Sequence, residues 1–267
     1  MVTIIIGYVL AVFVGISLGL VGSGGSILTV PIMVYIIGVN PVLATAYSLF
    51  VVGSTSLVGG IQRALQKKVD FKTVLVFGIP SIAVVYLTRA YLLPLIPEVL
   101  FTIGNFQFSK PIALMVLFAI VMVFASISMI RPCPHCQDAD SEKIVYNYPM
   151  ILLQGTLVGM LTGLVGAGGG FLIIPALLLF AKMPMKSAVG TSLFIIAANS
   201  FLGFMGVLQG NEVIDWWMLF TFSGVSVLGI FIGINLSKKI EGNKLKSAFG
   251  WFVLAMGCYI LIKELFL

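Results

Sequence analysis

Two glycine clusters interrupt apolar segments of this 267-residue chain. The clusters consist of Gly22, Ser23, Gly24, Gly25 and Ser26 in the first case, and of Gly166, Ala167, Gly168, Gly169 and Gly170 in the second. Because each glycine destabilises a helix interior by about 1 kcal/mol relative to alanine, such runs favour a break. A break exposes backbone amides, and the N-terminus of the helix that follows carries partial positive charge. We therefore predict that both clusters bind an anion.

Close helix packing is the alternative function of these glycines. Gly15 and Gly19, like Gly229 and Gly233, have the four-residue spacing of small-residue packing motifs, and we expect them to be packing residues. For the two clusters a break is favoured. A proline follows each cluster and limits the hydrogen bonding of the second limb.

Polar residues lie at matching positions on the helix predicted after each cluster. Those that we predict to line the anion site are Ser48, Thr191, Ser192 and Asn199. Ser192 and Asn199 share one helical face, because seven residues make two turns. Bonds between helices, or to the preceding turn, are the alternative role of such side chains. Asn199 is the strongest candidate, since an unpaired amide is costly.

The composition excludes a water-soluble protein. The chain is 60% hydrophobic and 9% charged, whereas soluble domains are about 25% charged. The apolar runs supply roughly eight membrane elements at about 20 residues each, and they are too long and uniform for barrel strands. The net charge of +6 comes from loops that orient membrane proteins, so we expect lipid and not nucleic acid as a partner. The first apolar segment lacks a basic leader and is expected to stay in the mature protein.

The chain contains an internal repeat. Residues Gly19–Ser26 recur as Gly163–Gly170, 144 residues later, and Ser48-Leu49-Phe50 recurs as Ser192-Leu193-Phe194 in the same register. We therefore predict an all-α membrane protein with repeats at 1–130 and 149–267 and a cytoplasmic linker at 131–148. Each repeat holds one glycine-interrupted helix, re-entrant or broken, and three transmembrane helices.

Charges indicate how the repeats are oriented. With four crossings per half, the fifteen Lys and Arg residues divide seven to eight between the faces. If each interrupted segment enters and leaves on one face, twelve lie on one side and only Arg89, Lys110 and Lys263 on the other. The positive-inside rule favours the second arrangement, which gives inverted repeats with both termini outside. Ten full crossings have the same parity and remain open.

The arrangement favours a secondary transporter, since interrupted helices at corresponding positions of two repeats are typical of that class. A passive anion channel is the alternative. We do not expect an enzyme, because Ser23 has no base within reach and the only histidine, His135, lies in the linker. No carboxylate lies well inside a span, and Asp70 and Asp215 are expected to cap helices. Arg63 is expected to anchor the topology.

One further motif, Cys133-Pro134-His135-Cys136, lies in the predicted linker. Its spacing is that of a dithiol redox site, and cysteine and histidine also bind metals. Two cysteines and one histidine are one ligand short of a closed zinc site. We expect an ordinary cytoplasmic loop and no cofactor, with a redox or metal role left open.

The doubled glycine motif resembles the sulfite exporter TauE/SafE family of membrane permeases. Each copy is followed by an Ala-x-x-x-Ser-Leu-Phe helix, and Val69-Asp70-Phe71 and Ile214-Asp215-Trp216 resemble the family's opening of the third helix. The resemblance covers essentially the whole chain. It implies transport of sulfite, sulfonates or related small anions across the bacterial inner membrane. The first copy has Ser26 where the second has Gly170, so the two turns need not bind alike. Direction, coupling ion and oligomeric state are not specified.

Overall fold

Helices make up nearly all of the structure, a computed structural model that describes residues 2–103, 106–130, 148–165, 172–174, 177, 183, 185–208, 214–237 and 242–266. The long helices are α1 Val2–Val21, α2 Pro41–Leu65, α3 Phe71–Leu87, α4 Lys110–Ile130, α5 Tyr148–Val165, α6 Met185–Val207, α7 Trp216–Ser237 and α8 Gly242–Phe266. A short antiparallel hairpin, β1 Val99–Ile103 and β2 Phe106–Ser109, precedes α4. The predicted all-α class is confirmed apart from this hairpin.

The helices have the length and surface of membrane spans. Among the described residues, α2, α6 (from Ser187), α7, residues 110–127 of α4 and the stretch Phe71–Leu95 are long and apolar enough to cross a bilayer. Shorter apolar helices cover Ile6–Val21, Ser26–Ile37 and Leu152–Val165. Large apolar side chains point outward, including Phe13, Leu75, Ile79, Trp217, Phe220, Leu228, Trp251 and Ile262. Such a surface faces lipid, so the protein is a multi-pass membrane protein.

The first glycine cluster breaks its helix. After α1 ends at Val21, a 3-10 segment runs from Gly22 to Leu28, followed by one α turn and a π-helical stretch Ile32–Ile37. A Cβ atom on Gly7 would lie 3.2 Å from Cγ1 of Ile37. Because Gly7 is near the start of α1 and Ile37 ends the second limb, the chain turns back along α1 as a helical hairpin. The second cluster lies outside the described residues.

Helices α2 and α6 occupy matching positions in the two repeats and pack against each other in opposite directions. A Cβ on Gly53 would lie 3.1 Å from Cβ of Ser200, and one on Gly60 would lie 3.2 Å from the ring of Phe194. Residue numbers thus rise along α2 as they fall along α6. The pair is antiparallel.

Two further helix pairs contact each other through glycine. In the pair α1–α7, a Cβ on Gly19 would lie 2.5 Å from the carbonyl oxygen of Ile230. In the pair α5–α3, a Cβ on Gly159 would lie 2.6 Å from the carbonyl oxygen of Ser81. Small residues let backbones approach closely in membranes. The predicted packing role of Gly15, Gly19, Gly229 and Gly233 is confirmed.

Corresponding residues of the two repeats exchange partners. The backbone N–H of Asp70 donates to Oγ1 of Thr191 over 3.0 Å, and that of Asp215 donates to the hydroxyl of Tyr47 over 2.8 Å. Thr191 follows Tyr47 by the 144 residues of the repeat, and Asp215 follows Asp70 by 145, each aspartate standing directly before the third helix of its half. The same contact is therefore made twice between the halves, once at each end of the α2–α6 pair.

Candidate functional site

The turn of the first hairpin requires glycine at its first position. Gly22 is buried with a φ of +72°, and a Cβ there would lie 2.8 Å from Cγ1 of Val189 on α6. The other predicted anion-binding residues of this cluster, Ser23, Gly24, Gly25 and Ser26, belong to the 3-10 segment. Ser26 is fully buried. The turn is therefore packed inside the protein against the second repeat.

This turn lies near one end of the α2–α6 pair. Nη2 of Arg63, in the last turn of α2, donates to the carbonyl oxygen of Gly19 over 3.2 Å and to Oγ of Ser237 over 2.9 Å. Val189, which contacts Gly22, precedes Asn199 by ten residues, about 15 Å along a helix axis. Gly22 and Asn199 therefore lie at different depths along the axis of α6, and the structure does not bring them together.

The middle of the α2–α6 pair holds buried polar atoms without partners. Nδ2 of Asn199 donates to Oγ of Ser81 over 2.7 Å, while its Oδ1 has no hydrogen-bond partner. The hydroxyls of Ser48, Ser56 and Ser200 are likewise buried and without partners. An unsatisfied buried polar group costs about 1–3 kcal/mol, so a set of them calls for an explanation. Such atoms are suited to bind a polar solute.

Two other predicted residues already have partners within the protein. Oγ1 of Thr191 accepts the N–H of Asp70, which ties α6 to the start of α3. Oγ of Ser192 donates to the carbonyl oxygen of Val189 over 3.0 Å, one turn back on its own helix. These are the two alternative roles that the sequence left open. Gly166, Gly168, Gly169 and Gly170 lie outside the described residues.

The two aspartates at the helix starts act as caps, as predicted. Oδ1 of Asp70 accepts the N–H of Lys72, and Oδ1 of Asp215 accepts the N–H of Met218 over 3.0 Å. Each carboxylate thus satisfies an amide in the first turn of its helix. The two aspartates therefore stabilise the starts of α3 and α7, which lie at opposite ends of the helix bundle.

Arg89 is the residue whose location the sequence predicted wrongly, since it was counted among the loop charges of the outer face. The structure buries it to 2% exposure in a π-helical turn, Thr88–Leu92, within the span Phe71–Leu95. Nη1 donates to Oγ1 of Thr45 over 3.0 Å, while Nε and Nη2 have no partner. The available signal was a lone arginine inside an apolar run, which marks a functional position in a membrane protein.

Comparison with known proteins places the chain in a family. The family model described as "Sulfite exporter TauE/SafE" matches residues 8–260. A probable membrane transporter protein of Xylella fastidiosa (strain 9a5c) is 27% identical over 252 residues, which cover 93% of this chain and 91% of that protein. The probable membrane transporter protein YunE of Bacillus subtilis (strain 168) is 27% identical over 289 residues, covering 97% and 99%.

A third relative, the probable membrane transporter protein MJ0441 of Methanocaldococcus jannaschii, is 33% identical over 118 residues, 42% of this chain and 44% of that protein. No solved structure gives a significant match. The description of the family and the names of the two full-length relatives agree with the many apolar helices of the structure. The chain therefore belongs to the sulfite exporter TauE/SafE family and is a membrane transporter.

Proposed function

We propose that this protein is a secondary transporter that moves a small anion across the bacterial inner membrane by alternating access. Sulfite, a sulfonate or a related organosulfur compound is the proposed substrate, in keeping with the family's description. One observation carries the mechanism: in each half the N–H of the capping aspartate, Asp70 or Asp215, donates to a hydroxyl of the other half, that of Thr191 or Tyr47. The relatives' names go no further than probable membrane transporter.

The proposed architecture is an inverted repeat of residues 1–130 and 149–267, joined by a cytoplasmic linker at 131–148. Helices α2 and α6 correspond in sequence yet run antiparallel. A two-fold axis that exchanges two antiparallel helices lies perpendicular to them, hence in the membrane plane. In inverted repeats the two halves can swap conformations, which opens a central site to each side in turn.

Cysteine labelling of two corresponding residues tests the inversion. Val69 and Ile214 precede the caps of α3 and α7 and are both half-buried. In a protein whose native cysteines are replaced by serine, an impermeant maleimide should label Ile214→Cys in intact cells. It should label Val69→Cys only after permeabilisation, because that loop is proposed to be cytoplasmic. Labelling of both residues from one side would contradict inverted repeats.

The proposed substrate path follows the buried polar atoms between α2 and α6. Ser48 keeps the predicted role there, because its buried hydroxyl has no partner and can donate to an anion. Asn199 keeps it through the second N–H of Nδ2, since its unpartnered atom, Oδ1, is an acceptor. The turn Gly22–Ser26 is proposed to contact the anion nearer the Arg63 end. Ser192 could donate to the anion only by giving up its present bond, whereas Thr191 accepts from Asp70 and keeps its own hydroxyl hydrogen to donate. Gly166–Gly170 keep their predicted role as the second turn.

Counterflow in proteoliposomes tests the function. Vesicles loaded with one anion would be offered the labelled anion outside, using sulfite, sulfate, thiosulfate, sulfoacetate, taurine and a simple carboxylate in turn. A carrier should give saturable counterflow of at least one sulfur anion, because the loaded site returns faster than the empty one. Flux without counterflow would favour the passive anion channel. Folded protein that moves none of these solutes would contradict the proposed substrate class.

A further inference from the structure

Arg89 is held between both halves of the protein. Its π-helical turn lies against α2, through Thr45, and against α6, where a Cβ on Gly206 would lie 3.0 Å from Cβ of Arg89. The absence of a side chain at Gly206 lets α6 approach this turn closely. The arginine is thus enclosed by the same two helices that carry the unpartnered polar atoms.

The guanidinium has one edge bound and one edge available. Oγ1 of Thr45 donates to the carbonyl oxygen of Val42 over 2.7 Å, so its lone pairs are free to accept Nη1 of Arg89. The partnerless Nε and Nη2 lie on the same edge of the planar group, and their N–H bonds point in nearly the same direction. That edge is the fork that arginine uses to bind two oxygens of one oxyanion.

No described carboxylate neutralises this charge. Asp70 and Asp215 cap their helices, Glu264 accepts the hydroxyl of Tyr35, and Glu98 is exposed. Burying a charge without a partner costs several kcal/mol, which folded proteins normally avoid. A bound anion would supply the missing charge and two acceptors at once.

Packing does not require arginine at this position. Arg89 follows the cap Asp70 by nineteen residues, as Ile234 follows the cap Asp215, and Ile234 is fully buried. Thr45 corresponds to Val189, which is also buried and apolar. The second half therefore fills the same place with hydrocarbon, and only the first half carries the cation and its threonine.

We propose that the Nε–Nη2 edge of Arg89 binds the transported anion, an inference that rests on the proposed function. The ligand is an oxyanion with two oxygens that can face one edge, such as sulfite, a sulfonate or a carboxylate. Ser48 lies three residues beyond Thr45 on the same side of α2 and offers its unpartnered hydroxyl to a further oxygen. Arg89 selects for oxyanions over spherical anions because the fork matches a pair of oxygens.

Arg63 provides a matched control. It is also buried and its Nε has no partner, but its Nη2 has two acceptors, Gly19 and Ser237, so its Nε–Nη2 edge is already half occupied. The experiment compares Arg89→Gln, Arg89→Lys and Arg63→Lys in counterflow of the anion that the wild type transports. In parallel, the melting temperature of each purified variant is measured with sulfite, methanesulfonate or chloride.

We expect Arg89→Gln to raise KM about 100-fold, since loss of a buried charged partner is among the largest single effects on binding. Arg89→Lys keeps the charge but not the fork, so its KM should rise about tenfold, with the preference for sulfite over chloride lost. Arg63→Lys should leave KM and this preference unchanged. Sulfite should raise the melting temperature of the wild type and of Arg63→Lys, but not that of Arg89→Gln.

The outcomes separate this assignment from the proposed function. If the wild type transports a sulfur anion and Arg89→Gln does so with the same KM, the assignment is overturned and the transport function stands. If Arg89→Gln does not fold, Arg89→Lys decides, and wild-type KM and selectivity in that variant overturn the assignment. If the wild type transports none of the sulfur anions but is stabilised by sulfite through Arg89, the anion site stands and the transport proposal fails.

Discussion

Replacing Gly15 by leucine is expected to prevent folding, whereas the same change at Gly224 should be tolerated. A Cβ on Gly15 would overlap the carbonyl oxygen of Ser226 and lie 2.9 Å from Cα of Gly229. These are backbone atoms of α7, so they cannot move aside as a flexible side chain can. Overpacking that side chains absorb costs about 1–3 kcal/mol, and we expect a larger loss here because α1 must separate from α7.

Gly224 is the matched control because it lies on α7, faces outward, and has no atom within 4 Å of the place that a Cβ would occupy. The measurement is the yield of monodisperse protein by fluorescence-detected size-exclusion chromatography, followed by the melting temperature. Gly159→Leu should resemble Gly15→Leu, since it meets the carbonyl oxygen of Ser81 in the corresponding pair α5–α3. Wild-type yield and melting temperature for Gly15→Leu would contradict the close α1–α7 contact.

The helix packing could be predicted because its determinants are local in sequence. Four-residue spacing of Gly15 with Gly19 identifies a smooth helix face without any knowledge of the partner helix. The aspartate caps are equally local, since an acceptor that precedes a helix satisfies amides of the first turn. The break at Gly22 follows from glycine's low helix propensity and its access to positive φ.

The elements that were missed depend on partners distant in sequence. The β-hairpin Val99–Ser109 exists because two short segments pair with each other, and neither has a long alternating pattern of its own. The π-helical stretch Ile32–Ile37 looks like any apolar helix in sequence. It packs against α1 at Gly7, a contact that residue type alone does not reveal.

The candidate site was only partly predictable for the same reason. Residue type identified Ser48 and Asn199 as polar groups within spans, but whether a hydroxyl is free or bonded depends on its neighbours in space. Thr191 differs from Ser48 only because Asp70 happens to reach it. A count of charges by loop assigns every arginine to a surface, which is how Arg89 was misplaced.

Moving Arg89 into the membrane strengthens the case for the proposed orientation. Of the three basic residues assigned to the outer face, Lys110 and Lys263 remain. Arg63 is likewise buried within a span, α2, so eleven of the twelve residues assigned to the proposed cytoplasmic side remain. A charge inside a span carries no topological information, since the positive-inside rule concerns loops. Removing Arg89 from the count of loop charges therefore favours the proposed inverted repeats. The same residue is also the candidate for anion binding.

Linking α2 to α6 by a disulfide is expected to stop counterflow reversibly. The Cβ position of Gly53 lies 3.1 Å from Cβ of Ser200, close to the roughly 3.5–4.5 Å of natural disulfides. In the double variant Gly53→Cys and Ser200→Cys, without native cysteines, oxidation should fix the two halves at their shared interface. Alternating access requires these halves to move relative to each other, so transport should fall to background and return with dithiothreitol.

A cross-link within one half distinguishes loss of movement from damage by oxidation. Gly7→Cys and Ile37→Cys join the two limbs of the first hairpin, where a Cβ on Gly7 would lie 3.2 Å from Cγ1 of Ile37, inside a single repeat. If that hairpin moves as a unit, its oxidation should leave counterflow intact, whereas the α2–α6 link abolishes it. Undiminished counterflow in a fully cross-linked Gly53–Ser200 variant, with the bond verified by mass spectrometry, would mean that the halves do not separate at this level. The movement that underlies counterflow would then lie elsewhere in the protein, with α2 and α6 fixed to each other.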